Sequence, residues 1–296
     1  MNASQRERVG HHLKTHITTV QPLSGGQMAV VYYLMMADDV AFSSGKKARE
    51  VVVKVTQQND LRCEGEMLTY LAVHTGLPVP DVVWCTPELM VLEYLPTGGH
   101  INHTAEQHMA DLLAELHTIH AEQYGFETDT LIGSLTLPNG WHDNWEMFFA
   151  EKRLKRFANL AHQIGHLPDV LLARVTHVAD NIAALIQNPN PPSLVHGDLW
   201  SGNVLTRAGR ITGILDPALY YADREVELAY ISLFQTFGRA FWERYERHLP
   251  VDDGFWQVRQ HVYSLYPLLV HVYYFAGSYV AAVEDKVARL EQVLVS

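Results

Sequence analysis

The first 95 residues alternate apolar and polar positions in short runs, which is typical of β-strands. Turn-forming residues separate the runs, for example at 24–27 and 43–47. The segment 61–74 instead has apolar residues at helical spacing and is followed by Gly76 and two prolines. The first three strands would form an antiparallel meander. Strands are predicted at 17–23, 30–36, 50–55, 82–85 and 89–95.

After residue 95 the pattern changes to long helical repeats. Helices are predicted at 104–120, with Thr104 as N-cap, at 145–162 and at 168–186. Short strands follow at 193–196, 203–206 and 210–215, before further helices. We therefore predict an α+β protein of two lobes joined by a hinge at 94–99. The small N-terminal lobe, 1–95, is an antiparallel β-sheet with one important helix, and the larger C-terminal lobe, 96–296, is mainly α-helical.

Composition excludes several classes of protein. The chain has 296 residues, 48% of them hydrophobic, which is enough for a large core and argues against disorder. Its 22 Lys and Arg against 33 Asp and Glu give a net charge of -11, which argues against nucleic-acid or membrane partners. Cys63 and Cys85 fit neither a disulfide framework nor a metal-binding spacing. With no signal peptide at the start, we expect two free thiols in a cytoplasmic protein.

One segment without charged residues, between Arg259 and Glu284, is long enough to span a bilayer. It also contains Gln260, Pro267, two histidines and several tyrosines, which makes it a poor match to hydrocarbon. We predict that it forms a buried helix of the larger lobe.

The strongest local motif is LVHGDLWSGNVL at 194–205. Asp198 comes two residues after His196, and Asn203 comes five residues after Asp198. This spacing suits a loop whose carboxylate faces a substrate hydroxyl while a carboxamide oxygen reaches a metal ion. The next strand leads directly into Asp216, and Asn203 and Asp216 are oxygen ligands suited to Mg²⁺. Each of these residues alone could simply stabilise a turn.

Lys54 lies in an apolar strand, on the face opposite its nearest valine neighbours. A lysine in such a strand is costly unless it is paired. A phosphate and a helix carboxylate would both satisfy it, and the following helix offers Glu64 and Glu66. We predict Glu66, because it directly precedes the apolar face at Met67. The alternative is a lysine on an edge strand that reaches water.

Two further segments could contact a nucleotide. The turn Ser24-Gly25-Gly26 lets backbone amides approach phosphate oxygens, although any hairpin could use these residues. The sequence LEYL at 92–95 ends the last strand of the small lobe and begins the hinge. Its backbone C=O and N–H groups could pair with the edge of adenine.

Taken in order, these elements resemble the protein-kinase-like fold shared by small-molecule kinases such as aminoglycoside and choline kinases. Four longer segments resemble the fructosamine kinase, or ketosamine kinase, family more specifically, and the resemblance covers nearly the whole chain. Trp200 and the stretch around NGWHDNW distinguish this family from its relatives. The four segments are HGDLWSGN at 196–203, LDPALYYADREVELA at 215–229, LHTIHAEQYGF at 116–126 and IGSLTLPNGWHDNWEMFFAEKRL at 132–154.

The resemblance implies ATP-dependent phosphorylation of a sugar hydroxyl of a ketosamine, on a free glycated amine or a glycated lysine. ATP and Mg²⁺ are the implied cofactors. The positions that it assigns are Asp198 as catalytic base, Asn203 and Asp216 as Mg²⁺ ligands, Lys54 and Glu66 as the phosphate-orienting ion pair, and Glu93 and Leu95 as backbone contacts to adenine.

Trp200 and Glu225 are candidates for contact with the substrate. Aromatic faces suit both sugar C–H surfaces and cations, so Trp200 and Trp141 could be walls for the sugar or its amine; core packing is the alternative for both. Glu225 begins the helix after Asp216 and could meet a cationic amine or only favour the helix N-terminus.

Two other functions stay open. One is a related kinase that acts on another small hydroxyl compound, such as an aminoglycoside, choline or a thio-sugar. The other is a non-catalytic, nucleotide-binding pseudokinase. Pseudokinases usually lack the lysine, the base or a metal ligand, and all three are present here.

Overall fold

The structure is a computed structural model that describes residues 1–23, 29–57 and 60–295. It begins with a helix, α1 (Ala3–Leu13), that the sequence analysis did not predict. Asn2 and Gln5 form a capping box at its start, and Val9 is its one buried residue. Because a single buried position gives no apolar stripe, periodicity could not reveal this helix.

The small lobe is built on a five-stranded sheet in the order β1-β2-β3-β5-β4. Neighbouring strands are antiparallel, so the predicted meander is confirmed. β2 and β3 extend further than predicted and pair as far as Ala41 with Lys47. The strands are β1 (Ile17–Leu23), β2 (Val30–Ala41), β3 (Lys47–Val55), β4 (Val82–Cys85) and β5 (Leu89–Glu93).

The helix α2 (Leu61–His74) lies against this sheet and has the predicted bounds. Asp60 caps it by accepting a hydrogen bond from the Arg62 N–H, and its buried face packs on β4 and β5. Cys63 and Cys85 are free thiols, as predicted, and both are partly buried.

The larger lobe contains nine further α-helices in the described residues. The predicted helix at 104–120 is shifted, because Asn102 rather than Thr104 is its N-cap. The predicted helix at 145–162 is one rod with a π-helical middle, Phe149–Lys155. The α-helices are α3 (His103–His117), α4 (Trp145–Phe148), α5 (Arg156–Gln163), α6 (Asp169–Asp180), α7 (Ile182–Leu185), α8 (Glu225–Phe234), α9 (Arg239–His248), α10 (Gln260–Phe275) and α11 (Ser278–Leu294).

Short strands line the side of the larger lobe that faces the small lobe. A four-stranded sheet has the order β10-β13-β6-β9, and β11-β12 and β7-β8 are hairpins. β6 to β9 and β13, each three residues long, were not predicted. The strands are β6 (Tyr124–Phe126), β7 (Thr130–Ile132), β8 (Leu135–Leu137), β9 (Gly140–His142), β10 (Ser193–Val195), β11 (Val204–Arg207), β12 (Arg210–Ile214) and β13 (Tyr220–Ala222).

The charge-free segment forms a buried helix, as predicted, but it is shorter than the segment. α10 ends at Phe275, and a turn at Ala276 and Gly277, both with positive φ, leads into α11. Among the described residues, none of the helices has the length and apolar character needed to cross a membrane.

Candidate active site

The loop after β10 carries His196, Gly197 and Asp198, and two constraints hold its backbone. Gly197 has φ +85°, and a Cβ there would lie 2.1 Å from the Ala218 carbonyl oxygen, so only glycine fits. The Glu227 carboxylate in α8 accepts hydrogen bonds from the N–H groups of His196 (3.1 Å) and Gly197 (2.8 Å). The loop is therefore anchored to a helix beneath it.

Glu227 is itself buried, and its carboxylate also contacts His117 Nε2 at 3.1 Å. Burial raises the pKa of Glu227, but the hydrogen bond with His117 and the Gly197 N–H outweigh this and hold the pKa below its ordinary value. A charged Glu227 beneath the loop is thus stable at neutral pH.

The Asp198 carboxylate is held at both oxygens. The Tyr230 hydroxyl, also from α8, donates to Oδ1, and Asn203 Nδ2 donates to Oδ2 at 3.1 Å. The same Nδ2 donates to the Asp198 carbonyl oxygen at 2.8 Å. Burial raises the pKa of Asp198 to about 6, and the bonds from Tyr230 and Asn203 oppose that rise. Asp198 is mostly ionised at neutral pH and can accept a proton.

Asn203 and Asp216 are brought together by the β11-β12 hairpin. Val204 pairs with Ile214, so the residues just outside this pair lie at the same end, and the Leu215 N–H donates to the Asn203 carbonyl oxygen at 2.9 Å. Asp216 has φ +53°, and its side chain is half exposed. Because Asn203 donates its hydrogen bonds to Asp198 from Nδ2, its Oδ1 atom remains available as an acceptor.

Lys54 lies on the predicted face of β3 and binds two carboxylates. Its Nζ atom is 2.7 Å from Glu64 Oε2 and 2.9 Å from Asp216 Oδ1. Burial lowers the pKa of Lys54, but Asp216 and Glu64 outweigh this and hold the pKa above its ordinary value. Burial has the opposite effect on the carboxyl group of Glu64, whose pKa it raises above the ordinary value. Lys54 thus joins the small lobe to Asp216 of the larger lobe.

The prediction that Glu66 pairs with Lys54 is wrong. Glu64 lies three residues after Leu61 and four before Leu68, on the buried face of α2 that meets the sheet. Glu66 lies on the exposed face, beside an open pocket that Asp60 and Asp129 also line. One residue along a helix is a rotation of about 100°, so adjacency to the apolar Met67 was a misleading criterion.

Comparison with known proteins agrees with this geometry. A family model described as fructosamine kinase matches residues 1–293. This chain belongs to the fructosamine kinase family. A probable ketoamine kinase of Vibrio parahaemolyticus is 34% identical over 273 residues, which cover 89% of both chains. A probable ketoamine kinase of Synechocystis is 41% identical over 195 residues, which cover 64% of this chain and 63% of the relative.

Solved structures extend the likeness to the whole fold. A protein of Thermobifida fusca described as a "putative fructosamine-3-kinase" has a TM-score of 0.84 at 26% identity, covering 99% of this chain and 100% of that one. An aminoglycoside phosphotransferase in complex with ADP and hygromycin B has a TM-score of 0.66 at 16% identity, covering 99% and 98%, which shows the fold alone. The predicted family and kinase-like α+β fold are confirmed, and this fructosamine kinase family member is a phosphotransferase that acts on a sugar hydroxyl.

The predicted nucleotide contacts are only partly described. Ser24, Gly25 and Gly26 lie outside the described residues. The Glu93 N–H donates to the Asp81 carbonyl oxygen at 2.9 Å, and its carboxylate pairs with Lys46, so only its carbonyl oxygen could serve a ligand. The Leu95 N–H has no hydrogen-bond partner among the residues that the structure describes. It is therefore the backbone donor at the hinge that a base could use.

Of the substrate candidates, Glu225 is placed differently from expectation. It is 2% exposed, and both of its carboxylate oxygens accept hydrogen bonds from Arg259, at 2.6 and 2.8 Å. Because the Arg259 guanidinium already balances this buried charge, Glu225 does not face a substrate amine. The prediction that Glu225 contacts the substrate is therefore wrong. Trp200, in contrast, is 40% exposed, and its ring lies over Gly202. Trp141 is also partly exposed and packs against Phe126 and Tyr221 in this fructosamine kinase family member.

Two residues of the site were missed by sequence reasoning. Glu227 and Tyr230 both lie in α8, and the motifs of the sequence assigned neither of them a role at the site. The available signal was their spacing, because residues three apart on α8 share a face, and that face meets the Asp198 loop.

Proposed function

We propose that this protein transfers the γ-phosphoryl group of ATP to a sugar hydroxyl of a ketosamine, either a fructosamine or a ribulosamine. The observation that supports it most is that four residues suited to phosphoryl transfer lie at one site, with Asn203 bonded to Asp198 and Lys54 bonded to Asp216. The relatives in Vibrio parahaemolyticus and Synechocystis are described as probable ketoamine kinases, which favours this acceptor class over aminoglycosides or choline. A glycated lysine would be the corresponding substrate in a deglycation role.

In this proposal Asp198 is the catalytic base. The acceptor hydroxyl donates its proton to the carboxylate as its oxygen attacks the γ-phosphorus, and ADP leaves with the electrons of the broken P–O bond. Asp198 is suited to this because it is only partly exposed, and its pKa of about 6 leaves it mostly ionised at neutral pH. Catalysis of this kind depends mainly on position and charge, so the fixed carboxylate matters more than any covalent step.

Asn203 and Asp216 fit a Mg²⁺ ion. Asn203 Oδ1 and the half-exposed Asp216 carboxylate are hard oxygen donors at one end of the β11-β12 hairpin. The described residues hold no cluster of three or more His, Cys, Asp or Glu side chains suited to a metal. Two oxygen ligands are what Mg²⁺ requires when phosphates and water complete its coordination, and there it would neutralise phosphate charge.

We propose that residues 1–95 bind the nucleotide and residues 96–296 supply the base and the acceptor site. Lys54 would orient the phosphates while Glu64 holds it in place. The turn at Ser24, Gly25 and Gly26 would cover the phosphates, and the backbone of Glu93 and Leu95 would contact adenine. Trp200 would form a wall for the sugar, since its ring is exposed two residues after Asp198.

The test is a panel of acceptors incubated with the protein and MgATP. Fructosamines, ribulosamines and erythrulosamines of one amine are compared with an aminoglycoside, choline and a thio-sugar, with ADP release as the readout. We expect turnover with one or more ketosamines and only a small residual rate in the Asp198→Asn variant. Turnover restricted to a non-ketosamine acceptor would replace the proposed substrate, and none with any acceptor would favour a pseudokinase.

A further inference from the structure

The Tyr230 hydroxyl lies directly beside the proposed base. It donates a hydrogen bond directly to Oδ1 of Asp198, the carboxylate assigned above as the base. Tyr230 is 4% exposed, so water cannot readily replace this bond. Asn203 Nδ2 holds the other oxygen at 3.1 Å. The two oxygens of the carboxylate are therefore each fixed by a different element.

The ring of Tyr230 is held as firmly as its hydroxyl. It packs against Phe234 one turn later on α8, with ring centroids 4.8 Å apart. α8 is in turn packed against α10, and its Glu227 binds the backbone of the loop that carries Asp198. α8 therefore holds the loop backbone in place through Glu227 and the Asp198 carboxylate through Tyr230.

This arrangement restricts rotation of the Asp198 carboxylate about χ2. Any rotation other than the equivalent half-turn would leave the buried Tyr230 hydroxyl without its acceptor, which is unfavourable for a buried polar group. An ionised carboxylate has about four lone-pair positions, so two remain for an acceptor hydroxyl. Tyr230 and Asn203 decide which way these remaining positions point.

We propose that Tyr230 is a positioning residue that acts through Asp198, fixing the direction in which the base accepts the proton of the acceptor hydroxyl. The proposal rests on the proposed function, in which Asp198 is that base. Tyr230 does not touch the nucleotide-binding residues in the described structure, so its effect belongs to the proton-accepting step and not to nucleotide affinity.

The chain offers a matched control at Tyr266 of α10. Tyr266 is 0% exposed, and its hydroxyl has no hydrogen-bond partner among the described residues. Tyr230→Phe and Tyr266→Phe each remove one buried hydroxyl oxygen, but only the first removes a bond to Asp198. Both variants keep the ring, so packing is preserved.

The experiment measures steady-state kinetics and thermal unfolding for Tyr230→Phe, Tyr266→Phe, Asp198→Asn and the double variant Tyr230→Phe/Asp198→Asn. The acceptor is the one that the wild-type protein phosphorylates fastest in the panel; if it phosphorylates none, ADP release from MgATP to water is followed instead. We expect Tyr230→Phe to lower kcat about tenfold, the effect of losing about 1.4 kcal/mol at the transition state, with an unchanged KM for MgATP. Tyr266→Phe should keep the wild-type kcat.

The double variant decides between positioning and structure. If Tyr230 acts through Asp198, Tyr230→Phe has no further effect on the residual rate of Asp198→Asn. An equal loss of kcat in both backgrounds, or a wild-type kcat in Tyr230→Phe, would overturn the proposal. Failure of all ketosamines in the panel, by contrast, would overturn the proposed substrate and leave this comparison intact, since it is made on whichever ADP-releasing reaction the protein performs.

Discussion

At the scale of single residues, Lys54 shows how a burial cost becomes a functional arrangement. A lysine side chain that is 13% exposed needs opposite charge nearby, and here Glu64 from α2 and Asp216 from the larger lobe both supply it. Asp216 is the half-exposed partner, so a cation or phosphate can compete for it, whereas Glu64 is largely buried. Glu64 therefore holds Lys54 when Asp216 has another ligand.

We predict that Glu64→Gln lowers kcat/KM for MgATP about tenfold, because a charge-assisted hydrogen bond contributes about 1.5–3 kcal/mol and Asp216 compensates in part. Glu66→Gln is the matched control, since it makes the same change two residues away on the exposed face of α2. Its kinetics should equal those of the wild type. A lower kcat/KM in Glu66→Gln, with a wild-type value in Glu64→Gln, would instead favour Glu66 as the partner of Lys54.

Asp198→Asn should reduce kcat by 10²–10⁴-fold, on the order of the contribution of a general base. The isosteric amide keeps the contact with Tyr230, so folding and nucleotide binding should persist. Calorimetric titration with MgATP measures the binding, and the ADP-release assay measures the rate. Wild-type turnover in this variant would remove Asp198 from the mechanism.

At the scale of elements, α8 and α10 support the catalytic loop from below. α8 presents Glu227 and Tyr230 to the loop, and α10 packs along its other side. The acidic start of α8 is only partly a helix-capping pattern. Glu225 binds Arg259, Glu227 binds the loop, and Asp223 accepts hydrogen bonds from Asn190 and Tyr263. Each acid has a separate tertiary partner.

We predict that Glu227→Gln destabilises the fold by about 2 kcal/mol or more and lowers kcat. The amide has only one acceptor oxygen, so its NH₂ group would face one of the loop N–H donors, and burial makes that mismatch costly. Glu243→Gln is the control, since within the described part of the chain Glu243 pairs with the exposed Arg239 alone, on a surface helix. Urea unfolding should show a change of less than about 0.5 kcal/mol for this control.

The contact between α10 and α11 predicts a pH dependence of stability. Lys286 Nζ donates to His261 Nδ1 at 3.0 Å, and burial, with Lys286 and Arg289 nearby, lowers the pKa of His261 to about 4. In the unfolded chain the pKa is about 6.5, so unfolding takes up a proton below that pH. The stability that neutral His261 contributes is therefore present above about pH 6.5 and lost as the pH falls towards 4.

We expect the Tm to fall between about pH 7 and pH 5, and to fall less in His261→Gln, which keeps an acceptor for Lys286 but does not titrate. His117 and His196 are buried with lowered pKa values, so the variant should keep part of the dependence. Differential scanning calorimetry of both proteins at the two pH values makes the comparison. An identical fall in Tm in the two proteins would show that His261 does not contribute to the pH dependence of stability.

At the scale of the whole molecule, the two lobes share an apolar cluster and also meet through polar contacts around the site. Lys54 binds Asp216, the hydroxyls of Tyr70 and Tyr221 lie 2.9 Å apart, and the Ile214 N–H donates to the Pro78 carbonyl oxygen at 2.8 Å. The net charge of -11 does not describe this point in detail, because Lys54 supplies one positive charge beside the carboxylates of Glu64 and Asp216.

We predict that Asp216→Ala removes the dependence of ATP binding on Mg²⁺. Asp216 is one of two oxygen ligands in the proposal, and its loss leaves Asn203 alone. Isothermal titration of ATP with and without Mg²⁺, in wild type and variant, measures the effect, and a melting curve checks that the variant is folded. An affinity for MgATP equal to that of the wild type would contradict the assignment of Asp216.

Much of the fold could be predicted because its signals are local. α2 has the predicted bounds, since its apolar spacing and the Asp60 cap lie within one segment, and β1 and β4 likewise match. The β11-β12 hairpin, with Asn203 before it and Asp216 after it, is also a local feature, in which chain connectivity alone keeps two oxygen donors at one end.

Tertiary structure decided which side chains meet across distant segments. Glu64 rather than Glu66 pairs with Lys54 because of how α2 is rotated against the sheet, and Glu225 is buried because Arg259 reaches it from another helix. Tyr230 meets Asp198 from 32 residues away. The sequence by itself thus determined most of the longer elements, the family resemblance and the motif residues. The partners of those residues depend on packing angles between elements, which no local pattern encodes.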